Sequence, residues 1–188
     1  MQNSESGVVA TTTGQLVPGA DPKTFVALNK IYGKDVKHVY AILRYEPETI
    51  PQELPDADPN TFQYVGGGYS KDASNVYWWY HQVLGADPKS LVLVDEYAVY
   101  AKDDHQIYIG QYPIHLSFDV KTFVHLSSGY FKDSKNVYWG ENDGIGIMKD
   151  ADSATFSLIS GRGTYDAQDK NHKYLNGHSP VGFWAWKC

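Results

Sequence analysis

Cysteine is nearly absent from this 188-residue chain: Cys188, the last residue, is the only one. No disulfide can therefore close within the chain, and no thiol-rich metal cluster can be assembled. Basic charge is also scarce, with 16 Lys and Arg against 22 Asp and Glu and a net charge of -6. That balance offers no footprint for nucleic acid or an anionic lipid surface, and neither is expected as a partner. Long apolar runs are missing, so no membrane span is expected. Residues 1–18, MQNSESGVVATTTGQLVP, lack the basic start and apolar stretch of a signal peptide and read as a polar leader. Residues 19–188 read as a single repeat domain.

Aromatic residues are plentiful: 15 Tyr, 7 Phe and 5 Trp. Such a chain is too aromatic for disorder and suits half-buried strands. The aromatics recur with a period, and the period organises the whole chain. ADPKTFVAL at 20–28 returns as ADPNTFQYV, ADPKSLVLV, FDVKTFVHL and ADSATFSLI, led by Asp21, Asp58, Asp87, Asp119 and Asp152. A second motif follows each: Asp35, Asp72, Asp103, Asp133 or Asp169, with Tyr40, Tyr77, Tyr108, Tyr138 or Tyr174 five positions later. Lys precedes this Asp in four copies and Gln168 in the fifth. The units span approximately 19–55, 56–84, 85–115, 116–148 and 149–188.

Each half has a physical reading. Asp-Pro with Thr three positions after the Asp begins a short helical turn, the carboxylate capping free N–H groups. In KDASNVY a polar run separates two extended aromatic stretches, which is a hairpin signal with a loop of three to five residues. The Asp accepts N–H groups inside that loop and the Asn tolerates a left-handed backbone. Tyr residues flanking the loop are expected on one aromatic face. The fold class is thus all-β: five imperfect units, each a short helical turn plus an antiparallel hairpin, in a meander or solenoid-like array. A small propeller or a closed barrel is the alternative. GFWAWKC at 182–188 is expected to cap the last unit.

YDAQDKNHKYLNG at 165–177, with GADPKTF and SKDASNVYWW, resembles the DKNYY repeat family of bacterial proteins. Asp169, Lys170, Asn171 and Tyr174 carry the likeness most closely, and Leu175 departs from the second Tyr. The resemblance implies an envelope or secreted protein, if a signal segment has been removed, and transfers no catalytic residue.

The chemistry-bearing residues favour structure over reaction. Lys71 and Asp72 point to opposite faces of a strand and are not expected to pair. Calcium needs six to eight oxygens, and DVKH and DDHQ do not keep them in register with DASN. The seven His form no compact zinc pattern, no nucleophile elbow is present, and GENDGIGIM lacks the ending of a phosphate loop. No catalytic, metal or cofactor-binding residue is assigned, and no cofactor is expected. In YWWY, residues 77 to 80, a strand would place two aromatics on each face. Trp78 is assigned to packing, and Trp79, His81, Tyr112 and Trp139 to a candidate contact surface. The expected function is a non-enzymatic repeat module for protein or ligand interaction, with a toxin-neutralising inhibitor or a glycan-binding module as alternatives. The protein or glycan partner is left unnamed.

Overall fold

A computed structural model describes residues 2–3, 9–10, 16–41, 50–94, 99–127, 129–141, 144–161 and 163–179. The expected cap at 182–188 lies outside them. The chain divides into two compact units, Met1–Asp103 with Gly110–Tyr112 and Asp104–Ile109 with Pro113–Cys188. The division passes through the third repeat.

All described regular structure is β, in small antiparallel sheets, none of which closes into a barrel. Among the described residues no helix is long and apolar enough to cross a membrane. Within the first unit, Val26–Ala27, Tyr32–Lys34, Val39–Ala41 and Gln52–Glu53 form one four-stranded meander. Gln63–Gly66, Tyr69–Lys71, Val76–Trp78 and His81–Gln82 form the next. In the second unit, Val124–Ser127, Tyr130–Lys132, Val137–Glu141 and Gly144–Ile147 repeat the order, and the fifth repeat forms a three-stranded version. The predicted hairpin is thus the centre of a wider sheet. A first strand leads in from the Asp-Pro turn, and in the four-stranded sheets a last strand folds back beyond the hairpin.

The expected short helical turn is not a helix. Phe25 N–H donates to Asp21 O at 2.9 Å, and Phe62, Leu91 and Phe156 make the matching bond in their repeats. One such bond closes a single turn. Strand residues follow at once, so the costly first turn of a helix is never propagated.

The two motif tyrosines also sit differently from expectation. Tyr69 pairs across the hairpin with Trp78 and Ser70 with Tyr77, so Tyr69 and Tyr77 lie on opposite faces. Tyr32 and Tyr40, and Tyr130 and Tyr138, are divided the same way. All six are buried, because each sheet is covered on both sides. On one side Tyr40 packs with Phe25 of its own repeat and with Val17, which lies in the segment 1–18 that reads as a leader in the sequence. On the other, Tyr32, Val39 and Ala41 pack with Phe62 and Tyr77 of the following repeat. Tyr130 and Val137 meet Phe156 and Tyr174 likewise.

Candidate functional site

The repeated Asp is where the sequence first invites a chemical reading. Asp72 is buried at the mouth of the hairpin loop that runs from it to Asn75. Its Oδ1 accepts the N–H groups of Ser74 and Asn75, both at 2.7 Å. Its Oδ2 accepts the N–H of Asp58 at 3.0 Å and the Tyr77 hydroxyl at 2.8 Å. Four donors fill a carboxylate's lone-pair directions. Asp35, Asp133 and Asp169 hold the same four kinds of partner. Burial alone would raise these four carboxyls, but the donors outweigh it and hold each below its ordinary 3.8. The same contact works on the phenols: burial, then the neighbouring carboxylate, pushes Tyr40, Tyr77, Tyr138 and Tyr174 well above the usual range. Such an Asp stays ionised and its Tyr stays protonated, which is a structural knot and a poor proton shuttle. The Asn75 and Asn136 backbones, expected to tolerate left-handed φ, do not adopt it.

The Lys beside Asp35, Asp72 and Asp133 turns the other way. Lys34 Nζ donates to Pro59 O at 2.5 Å, Lys71 Nζ to Pro88 O at 2.7 Å, and Lys132 Nζ to Ser153 O at 3.1 Å. Each acceptor directly follows the leading Asp of the next repeat. The Tyr two positions before Lys reaches forward too: Tyr32 OH donates to Trp79 O at 2.8 Å, and Tyr69 OH to Gly110 O at 2.7 Å. Asp therefore ties a repeat to itself, while Tyr and Lys tie it to its successor.

The candidate contact residues have mixed positions. Trp79 and Tyr80 are not strand residues: they form the two-residue tip between Trp78 and its pairing partner His81. Trp79 carries φ +55°, and in the third and fifth repeats Gly110 and Asn176 take +56° and +48° at the matching place. Hairpin tips favour Gly or Asn-Gly where φ is positive, and a bulky aromatic there is a true outlier. The shared demand in this column is backbone conformation, which burial patterns could not show. Trp79 is half-buried, its indole lying over Gly68, where a Cβ would come within 2.8 Å of Nε1. Trp78 is also half-buried and covers Gly110. His81 is exposed, and its ring centroid lies 4.1 Å from that of Tyr80. Tyr80, absent from the sequence-based set, completes the tip; two aromatics where the fifth repeat has Asn-Gly were the signal. Tyr112 is strongly exposed in the third repeat. Trp139, in the second unit, is half-buried against Tyr130 and the turn at Gly177. The structure brings Trp79 and His81 together in one tip, and Trp139 is engaged in packing between the fourth and fifth repeats. Among the described residues no group of three or more His, Cys, Asp and Glu could hold a metal ion.

A family model, the DKNYY family, matches residues 52–178. No curated protein and no solved structure matches the chain.

Proposed function

The chain belongs to the DKNYY family, and we propose that it is a non-enzymatic interaction module whose contact surface centres on the Trp79–His81 hairpin tip. The observation that carries this reading is the φ of +55° at Trp79. Backbone strain of this kind costs on the order of 1 to 3 kcal/mol and collects at functional positions. Two other repeats relieve it with Gly110 and Asn176. The second keeps a tryptophan, followed by Tyr80 and the exposed His81, and Trp and Tyr are the residues on which binding energy concentrates. Support against an enzymatic role comes from the acidic groups, since the repeated Asp and Lys are engaged in structural bonds. A place in the bacterial envelope or among exported proteins fits the family.

Binding to the immobilised chain, from an extract of the source organism and from an oligosaccharide panel, tests the proposal. Wild type should retain a partner that Trp79→Gly and His81→Ala lose while both variants stay folded. A stoichiometric basic protein would give the inhibitor reading, and a saccharide the glycan reading. Equal retention by wild type and both variants would remove the tip from function. Substrate turnover that Asp72→Asn abolishes without unfolding would replace the module with an enzyme.

A further inference from the structure

Sheets expose edges, and natural proteins shorten, charge or interrupt the strands that form them. The last strands of the first three repeats follow that rule. Gln52–Glu53 and His81–Gln82 are two residues long and polar or charged, and Tyr112–Pro113 is two residues long with a proline. The fourth repeat breaks it. Gly144–Ile147 is four residues long, reads Gly-Ile-Gly-Ile, and ends the sheet order of its unit. Neither glycine has positive φ, and a Cβ on either would meet nothing within 4 Å. Conformation and internal crowding thus leave both glycines unexplained. Glycine inside a strand is otherwise found where another backbone approaches closely.

The direction of the free backbone groups follows from the ladder. Met148 N–H donates inward to Val137 O at 2.9 Å. Antiparallel strands alternate their bonding sides, so Gly146 also faces the neighbouring strand, whereas Ile145 and Ile147 aim their N–H and C=O away from it. We propose that this edge pairs with the same edge of a second copy of the chain, antiparallel about a two-fold axis at Gly146. In that register Ile145 of one chain exchanges both main-chain bonds with Ile147 of the other, and the reverse pair repeats them. Gly146 then meets Gly146 at the close-approach position, and the isoleucines form cross-strand pairs on one face. A two-fold interface presents one patch to itself, and a stretch without charge or proline has nothing to repel its own copy. Four strand residues per chain bury far less than the roughly 1,200 Å² of a stable interface. The pairing is therefore weak and concentration-dependent. It stands independently of the Trp79–His81 contact surface.

Sedimentation of the full chain from about 10 µM to about 1 mM tests it, a range that spans weak affinities. Hydrogen exchange at the Ile145 and Ile147 amides is read in parallel. Wild type should shift from monomer to dimer across the range, with exchange at these two amides slowing as the dimer fills. Ile145→Pro removes an outward donor and no inward ladder bond; Ile147→Lys puts a charge on the edge. Either variant, shown folded by its circular dichroism, should remain monomeric. A wild type that stays monomeric throughout, with unchanged exchange, overturns the proposal. So does a dimer that survives in a folded variant, because it would use another surface.

Discussion

The Tyr130 hydroxyl donates to the Asp166 carboxylate at 2.6 Å, and Asp166 occupies the place in the fifth repeat where the other four have this tyrosine. Tyr32, Tyr69, Tyr100 and Tyr130 share that position, and the first two reach a main-chain carbonyl of the following repeat. Asp166 instead accepts: its carboxylate takes hydrogen bonds from the Tyr130 hydroxyl and from the Asn176 N–H, the latter at 3.0 Å. Two residues on, Gln168 stands where Lys34, Lys71 and Lys132 reach forward. Both forward-reaching donors are thus replaced together in the fifth repeat.

Tyr69→Phe tests the forward bonds without changing the ring. Two backbone carbonyls, Val99 O and Gly110 O, lose their hydroxyl donor. The expected loss is about 1 to 3 kcal/mol in urea unfolding. Tyr112→Phe, on an exposed ring, should stay within about 0.5 kcal/mol of wild type. Equal effects would deny the tyrosine bond a structural role.

Asp72→Ala leaves three N–H donors and the Tyr77 hydroxyl without their acceptor. A loss of about 3 to 5 kcal/mol is expected, since unsatisfied buried donors cost about 1 to 3 kcal/mol each and some of the four can turn to water. Because donors already surround this carboxylate, a chelator should leave the melting temperature of wild type unchanged. A chelator-induced fall of several degrees would show that a cation shares the site.

Stability should decline at both ends of the pH scale. The carboxyls of Asp35, Asp72, Asp133 and Asp169 are held below 3.8 in the fold. The unfolded chain therefore takes up protons first on acidification. Their contribution is complete above about pH 5 and is lost as pH falls through 3.8 and then through the lower folded values. Tyr40, Tyr77, Tyr138 and Tyr174 are raised above 10.0, so the unfolded chain loses those protons first. Their contribution is complete below 10.0 and falls as pH rises through that value. The urea midpoint across pH checks both limbs, and Asp72→Asn should make the acidic one shallower.

Backbone strain gives an inverted order of substitutions. Trp79 at φ +55° should tolerate Gly better than Ala by about 1 kcal/mol, since only glycine enters that region freely. The same reasoning applies to Asp56 at φ +62°, in the turn where the first and third repeats have Gly19 and Gly85 at +79° and +81°. Asp56→Gly should be neutral to stabilising by about 1 kcal/mol. Thermal melts of the three variants read both effects.

The repeat, the all-β class and the turn role of Asp72 were legible in the sequence because they are local: a spacing, a loop composition and a carboxylate within reach of its own N–H groups. The two-sided burial of Tyr69 and Tyr77 was not. Sequence alternation assigns faces but cannot reveal that a neighbouring repeat covers the second one. Strand alternation separates Lys71 from Asp72, but the Lys71 acceptor, Pro88 O, is 17 residues away and emerges only when repeats are stacked. The same alternation places Trp78 and Trp79 on opposite faces; a hairpin tip begins between them, and both indoles are half-buried over glycines. The candidate surface was therefore legible as a concentration of aromatics and illegible as geometry.

The forward direction of the Tyr and Lys bonds bears on synthesis. A nascent chain presents Tyr32 and Lys34 before Pro59, Gly68 and Trp79 have been made, and Tyr69 and Lys71 before Pro88 and Gly110. Each of these repeats leaves the ribosome with donors whose main-chain acceptors come only with the next one, and vectorial growth from the N-terminus closes those bonds in sequence. A chain cut between repeats would therefore leave a tyrosine and a lysine hydrogen-bonded to water where the finished chain supplies main-chain carbonyls.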